Sequence, residues 1–410
     1  MRVVHLTGKD FYGAGRAAYR LHSALLKEGV DSLMVVGEKE SNDGRVVNIQ
    51  DGAGFRFLRK VFIRIEKMLL HLTPGTLFSS GTCAFRQTRR INKLKPDIVH
   101  IHWINRGFFN IRALTRIKAP VVVSMHDMWY YTGGCHYATN CFKYRSGCEG
   151  CIRAADRSTA QRVMRWHGLK STIYNQTDKL AFVGLSRWME QCAKESALLH
   201  HQHVLNLPNC IDTTKYVANE KARKDLDFGE DKKLILFAAV DALSDKNKGF
   251  DLLEEALSYL PADRYALLIV GDKGKTSFDH LSFSIHNTGF VKEEGKMIDY
   301  LSAADVVVVP SRMENLSNMI MEALACATPV VAFATGGNGD MIEHKVNGYL
   351  AEAFSSNDLA QGIGWCLEDD ERQKELSARA RSAVLEKFNE TKVGSEYRAL
   401  YQQLTAGYAH

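Results

Sequence analysis

Short runs rich in β-branched residues alternate with helical patterns along almost the whole chain, and this alternation limits the fold more than any other feature. Strand candidates in the first half are Arg2–Leu6, Asp31–Val36, Asp97–His102, Pro120–Met125, Lys179–Gly184 and His203–Asn206. In the second half they are Lys233–Val240, Tyr265–Val270, Ser284–Thr288, Asp305–Pro310 and Pro329–Ala334. Strand–helix alternation means parallel sheets covered by helices on both faces. The pattern restarts near Lys232, after the polar, charge-dense stretch Asp212–Lys232. The chain therefore reads as α/β with two doubly wound, Rossmann-like domains, and 410 residues are enough for a core in each.

Hydrophobic content of 45% and charged content of 24% are those of an ordinary soluble globular protein. A net charge of +6 favours anionic partners such as phosphates or lipid headgroups and does not specify nucleic acid, which is not expected as a partner. No uninterrupted apolar run approaches a bilayer span. Met1–Leu6 enters a strand and then a glycine loop, unlike a signal peptide, so a cytoplasmic location is expected. Nine cysteines, an odd number, do not form a secreted disulfide framework.

The stretch Pro310–Cys326 places Glu314 and Glu322 eight residues apart at the C-terminal end of a strand, where ligands of open α/β sheets sit. A helix is expected from near Leu316. If most of the stretch is helical, the carboxylates stand roughly 12 Å apart along the axis at ~1.5 Å per residue, about the span from hexose to ribose in a folded nucleotide-sugar. The plain alternative, two solvated glutamates beside an ordinary helix, is weakened by the surrounding sequence: Pro310-Ser311 before the pair, then Glu322-Ala-Leu-Ala-Cys-Ala-Thr-Pro-Val-Val-Ala332 and Gly336-Gly337 after it.

That pattern resembles the donor site of retaining nucleotide-sugar glycosyltransferases of family four, and the loop Gly133-Gly134-Cys135-His136 with Cys141, Gly147-Cys148 and Cys151 resembles those of the colanic-acid and exopolysaccharide type. The resemblance spans most of the chain and is stronger in the second half. It implies the GT-B fold, with two Rossmann-like domains facing a central cleft: residues 1–212 on the acceptor side, 213–390 binding the nucleotide-sugar, and 391–410 as a helix that can cross back to the first domain. It gives Glu314 the donor sugar and Glu322 the ribose hydroxyls, with Asn315, Leu316 and Ser317 lining the same site. Further markers are Val183–Trp188 and Leu207–Asp212, where Cys210 replaces a usual glycine; Ala327 replaces another.

Two loops are phosphate candidates. Phe11–Ala18 contains Gly13 and Gly15 between strand one and a helix, and backbone amides at a helix start bind phosphate. It lacks the third glycine of the dinucleotide fingerprint, and Val36-Gly37 stands where an acidic residue would end strand two, which disfavours a nicotinamide dehydrogenase. A plain tight turn is the other reading; the family's glycine loop over the donor diphosphate favours Gly13 and Gly15 as ligand-lining. The second is Ala239–Leu253. Lys248 matches the family's lysine, which would neutralise a departing diphosphate. The family's arginine is missing at Val240-Asp241, and Lys246 can substitute only as a point charge without the guanidinium fork.

His126, in Val123–Asp127, ends a strand and matches a family histidine near the donor sugar. His100 and His102 alternate, so they share a face, read as sheet-end residues on the acceptor side. Cys135, Cys141, Cys148 and Cys151 fall within one glycine-rich loop, 133–151. One Cys-x2-Cys plus two more thiols suits a structural, tetrahedral zinc site; an iron–sulfur cluster or four unmetallated thiols are the other readings. Cysteines 83, 192, 210, 326 and 366 read as small buried side chains.

Residues 55–70 read as a basic amphipathic helix, with Arg56, Arg59, Lys60, Arg64 and Lys67 on one side and aromatic and aliphatic residues on the other. It suits either an anionic membrane surface or packing on the domain. The resemblance as a whole implies a hexosyltransferase without a catalytic metal. It would take a nucleoside-diphosphate sugar to a saccharide or lipid-linked saccharide acceptor in bacterial surface polysaccharide biosynthesis. It would work in the cytoplasm or peripherally on the inner face of the cytoplasmic membrane. The alternatives are a nucleotide-sugar epimerase of the same fold and a non-catalytic sugar-binding scaffold, which could do without Glu314 and Lys248.

Overall fold

The computed structural model describes residues 1–228, 231–239, 245–272 and 278–407. The strand end and missing-arginine position at Val240-Asp241, the rest of that loop to residue 244, residues 229 and 230 of the expected boundary stretch, and residues 408–410 of the expected last helix lie outside the described residues. The chain forms two compact units, Met1–Cys210 with the segment from Glu390, and Ile211–Asn389.

The first unit is built on a seven-stranded sheet of β1 (Arg2–Lys9), β2 (Asp31–Glu38), β3 (Val46–Asn48), β4 (Ile98–Ile101), β5 (Val121–Met125), β6 (Leu180–Gly184) and β7 (His203–Asn206), in the order β3-β2-β1-β4-β5-β6-β7. All its pairings are parallel. The central strands β4, β5 and β6 are buried at every residue, as helices on both faces require. Helix Gly13–Lys27 buries Ala17, Ala18, Leu21, Ala24 and Leu25, a helical-period apolar stripe. The chain's last helix, Glu390–Ala406, belongs to this unit. A Cβ on its Gly394 would touch Ala24 at 3.3 Å, Lys27 pairs with Glu390 at 2.5 Å, and the Tyr401 hydroxyl lies 2.6 Å from Nδ1 of His100 inside the sheet.

The second unit is a six-stranded sheet of β8 (Lys233–Ala238), β9 (Tyr265–Val270), β10 (Ser284–Asn287), β11 (Val306–Val309), β12 (Val330–Phe333) and β13 (Gly348–Ala351), ordered β10-β9-β8-β11-β12-β13 and again parallel. Phe237, Ile269, Val308 and Phe333 pack with Leu359 and Ile363 of helix Ser356–Leu367 in its core.

The expected strands are present with ends shifted by a few residues; β1 runs on to Lys9. The short edge strands β3 and β13 were not expected. In each sheet the strand order reverses, between β1 and β4 and between β8 and β11, and the connections there leave in opposite directions. That opens a crevice at the carboxyl ends of those strands. Among the described residues no helix is long and apolar enough to cross a membrane.

Candidate active site

In the second unit the loops after β8 and β11 meet at the switch point. Nζ of Lys248 donates to Oε1 of Glu314 at 2.6 Å, with the two side chains 29% and 13% exposed. Burial works against the Lys248 ammonium, but the Glu314 carboxylate and Asp245 outweigh it and raise its pKa, so the lysine stays charged.

The backbone around this pair is fixed from both sides. Gly249, at φ 69°, closes the turn Lys246–Lys248, and a Cβ there would overlap the carbonyl oxygen of Pro310. Gly336, at φ 56°, lies against the other side of the loop, where a Cβ would overlap the carbonyl oxygen of Glu314. Both positions need glycine twice over, for the left-handed backbone and for the close approach. The Gly337 amide donates to that Glu314 oxygen at 3.0 Å. Asn247 Nδ2 donates to the Met313 carbonyl at 2.9 Å, and the Arg312 amide to the Asn247 carbonyl at 2.8 Å. Arg312 also grips Asp251 through both guanidinium nitrogens, at 2.9 and 2.6 Å, and donates to the Lys246 carbonyl. Asn247, Arg312 and Asp251 were not anticipated as site-building residues. Lys246 is exposed, with its side chain on the solvent side of the turn.

The helix after β11 spans Asn318–Ala325 and starts two residues later than expected. Glu314 and the buried residues Asn315, Leu316 and Ser317 therefore form a loop, and the helical spacing between the two carboxylates does not apply to that half of the stretch. Glu322 lies within the helix and is 2% exposed, so it is not a solvated surface carboxylate. The helix ends in a left-handed cap at Ala327, φ 59°, where Thr328 donates to the Ala323 carbonyl at 2.9 Å and Ala327 to that of Leu324 at 3.1 Å.

In the first unit the loops after β1, β4 and β5 carry the other candidates. A Cβ on Gly15 would lie 2.5 Å from the Lys9 carbonyl oxygen, so this glycine lets the helix start against the strand end. Nothing lies within 4 Å of a Cβ on Gly13, so the space there is open.

His126 heads a file of imidazoles. Its Nε2 is 3.0 Å from Nδ1 of His102, whose Nε2 is 3.0 Å from Nδ1 of His5. Nε2 of His5 is buried with no hydrogen-bond partner among the described residues. Burial lowers all three pKa values, that of His126 to about 4 against the opposing pull of Asp127, so the file is neutral at pH 7. A neutral imidazole has one donor and one acceptor, so the file runs in one direction. An orphaned buried N–H is rarer than an orphaned acceptor. This favours a lone pair at the His5 end and an N–H at Nδ1 of His126. His100 and His102 do share a face, with ring centroids 4.2 Å apart, and both are buried.

Asp127 is held as an acceptor by the Trp103 indole (3.0 Å), the Trp129 amide (2.9 Å) and Nδ1 of His136 (2.6 Å). Burial opposes its charge, but His136 and these donors keep its carboxyl below the usual range. Cys135, Cys141, Cys148 and Cys151 line one small cavity, and all are free thiols. Of the other cysteines, 192, 210, 326 and 366 are buried as expected, whereas Cys83 is partly exposed.

The helix Ala53–Leu69 departs from its expected pattern. Arg59 is not on an exposed basic face. It is 12% exposed, bound to Glu38 at 2.5 Å and to the Arg106 carbonyl at 2.9 Å. Phe55 and Phe62 pack on Phe85. Phe57, Leu58, Ile65, Met68 and Leu69 are exposed, at 66% for Phe57 and 70% for Met68.

Two family profiles cover the chain: "Glycosyltransferase Family 4" matches residues 11–215 and "Glycosyl transferases group 1" matches residues 218–383. The chain is 28% identical to the D-inositol 3-phosphate glycosyltransferase of Xylanimonas cellulosilytica over 407 residues, covering 93% of this chain and 91% of that one. It is 22% identical to a putative colanic acid biosynthesis glycosyl transferase of Escherichia coli over 421 residues, covering 96% and 97%. The fold matches that of the Anabaena protein HepE, solved in complex with UDP-glucose, with a TM-score of 0.66 over 98% of this chain and 100% of that one; at 15% identity this is a likeness of fold.

Proposed function

Because the chain belongs to glycosyltransferase family 4 and is a glycosyltransferase of the GT-B fold, we propose that it moves a hexosyl unit from a nucleoside-diphosphate sugar to a saccharide acceptor, retaining the anomeric configuration. The observation that carries this reading is the Lys248–Glu314 pair at the β8/β11 switch point, with the buried Glu322 following on the helix. An incoming diphosphate would draw the lysine toward its own charge, and the freed carboxylate would turn to the sugar hydroxyls. As the bond to the anomeric carbon breaks, negative charge grows on the departing phosphate, and Lys248 would stabilise it without further reorganisation. Glu322 would hold the ribose. In the first unit, the open backbone at Gly13 would suit a phosphate, and the Nδ1–H of His126 would donate to a sugar hydroxyl. Lys246 would play a lesser, screening part.

The UDP-glucose complex of HepE supports a nucleotide-sugar donor. The name of the Escherichia coli relative supports an acceptor of the surface-polysaccharide class, for which we take a lipid-linked saccharide. The exposed stripe of Phe57, Leu58, Ile65, Met68 and Leu69, flanked by the exposed Arg56, Lys60, Arg64 and Lys67, suits the surface of an anionic bilayer, where such an acceptor would be embedded.

Thermal-shift measurements with UDP-, GDP- and ADP-sugars, followed by NMR of the product with the stabilising donor, test the reading. One class of nucleotide-sugar should stabilise the protein, and the product should keep the donor's anomeric configuration. No stabilisation by any of them, or an inverted product, would overturn it.

A further inference from the structure

We propose that Cys135, Cys141, Cys148 and Cys151 bind one zinc ion, and that this ion anchors the segment that holds Asp127, and with it His126, in place. The four side chains line a single cavity of about 20 Å³, room for one water-sized body. The loop is shaped around them. The Gly133 amide donates to Sγ of Cys148 at 3.2 Å. Gly134, Gly147 and Gly150 hold positive φ, and so does Cys148 itself, at 58°, a conformation that is costly outside glycine.

The charge also fits. Four thiolates around a divalent ion leave a net charge of minus two. Lys143 and Arg153 line the cavity and bring positive charge to it. As each S–Zn bond forms, the thiol proton leaves to solvent. Among the described residues the one set of three ligand atoms already within 4.8 Å of one another is His5, His100 and His102. Both ring nitrogens of His100 and of His102 are already engaged, by Tyr401 and Ser124 and by His5 and His126, so a metal there would dismantle the file. The thiols are spread more widely, and zinc would draw them inward.

The connection to His126 is short. Cys135 is followed by His136, which is fully buried, with Nδ1 at 2.6 Å from Asp127 and Nε2 at 3.0 Å from Ser79. The His136 carbonyl accepts from Met128 at 3.0 Å, and the Thr132 hydroxyl donates to the Cys135 carbonyl at 2.7 Å. Fixing Cys135 therefore fixes His136, which fixes Asp127 beside His126. Only the role given to His126 rests on the transferase reading; the metal site stands without it.

The full-length protein, reduced and reconstituted with zinc, should hold about one zinc per chain. Cobalt in its place should give thiolate-to-metal charge transfer in the near ultraviolet and strong ligand-field bands in the red. The four cysteines should resist alkylation until a chelator is added, while Cys83 reacts throughout. Chelation should raise hydrogen exchange across 126–136. Cys148→Ser and, should that variant fold poorly, the more exposed Cys151→Ser should lose the ion, while Cys192→Ser keeps it. No zinc after reconstitution, or alkylation of the four cysteines at one rate with and without zinc, would overturn the site. Bound zinc with unchanged exchange across 126–136 would overturn the coupling. A zinc-loaded protein inactive with all nucleotide-sugars would count against the transferase reading instead.

Discussion

The α-carbon of Gly336 lies so close to the carbonyl oxygen of Glu314 that a methyl group on it would overlap that atom. The backbone of Glu314, the residue we propose for the donor sugar, is thus positioned by a residue with no functional group. Gly336→Ala should push the Pro310–Glu314 loop aside, and displacements of about 1 Å near reacting atoms can cost roughly a hundredfold in turnover. We expect kcat to fall by about that factor while Lys248→Arg, which keeps the charge, falls less. A Gly336→Ala enzyme with full kcat would remove the loop from the mechanism.

Lys248→Ala should lose on the order of a hundredfold in kcat, as when one transition-state donor is removed. Glu314→Ala should also act mainly on kcat, and Glu322→Ala mainly on the donor KM, because a ribose contact is similar in ground and transition states. Lys246→Ala should be milder than Lys248→Ala, since its side chain is exposed. Steady-state kinetics decide; equal, small effects in all four variants would sink the assignment.

Ala327 occupies a left-handed helix cap that favours glycine. The conformation costs a non-glycine residue ~1–2 kcal/mol, partly offset by the greater unfolded-state freedom of glycine. Ala327→Gly should therefore stabilise the second unit by about 0.5–1 kcal/mol, read as a rise in the denaturant midpoint. A lower midpoint would contradict the cap.

Burial holds His5, His100 and His102 neutral in the folded first unit, with His100 lowered to about 3. In the unfolded chain each takes a proton near pH ~6.5. The unfolded state therefore binds more protons below that pH. This stability is fully present above pH ~6.5 and is lost as pH falls toward the folded values, at up to ~1.4 kcal/mol per pH unit per imidazole. Hydrogen exchange between about pH 7 and 5 should show β1 and β4 losing protection before β8 and β11. The opposite order would refute it.

Co-sedimentation with anionic vesicles should weaken when Arg56, Lys60, Arg64 and Lys67 are replaced by Gln, each being worth about 1 kcal/mol near such a surface, and high salt should release the protein. Arg59→Gln should leave vesicle binding intact and lower thermal stability instead, since Arg59 faces Glu38. Equal binding to neutral vesicles would count against the membrane role.

Local patterns in the sequence carried much of this. The β-branched runs mark the interior strands, and the context around Glu314 and Lys248 identified both ends of an ion pair between residues far apart in the chain. Edge strand β3 is only three residues long, too short for a clear periodicity, and β13, Gly348–Ala351, opens on a glycine and contains no β-branched residue. Arg59 looked like its basic neighbours because helical spacing alone does not say which side meets Glu38. The imidazole file could not be seen at all. His5, His102 and His126 meet only because β1, β4 and β5 are neighbours in the sheet, and strand order is not written in local pattern.

The helix Glu390–Ala406 has a consequence for biosynthesis. The first unit joins Met1–Cys210 to the segment from Glu390: Tyr397 and Tyr401 are fully buried in it, and Tyr401 meets His100. On the ribosome the amino-terminal 210 residues emerge first but lack this helix until the whole of Ile211–Asn389 has been made, roughly 10–40 s later at ~5–20 residues per second. During that interval the groove beside Ala24 and His100 is exposed, while the later-born unit already has everything it needs to fold. The part of the protein translated first is the last to be finished, and that waiting stage is where a nascent chain would need a chaperone most.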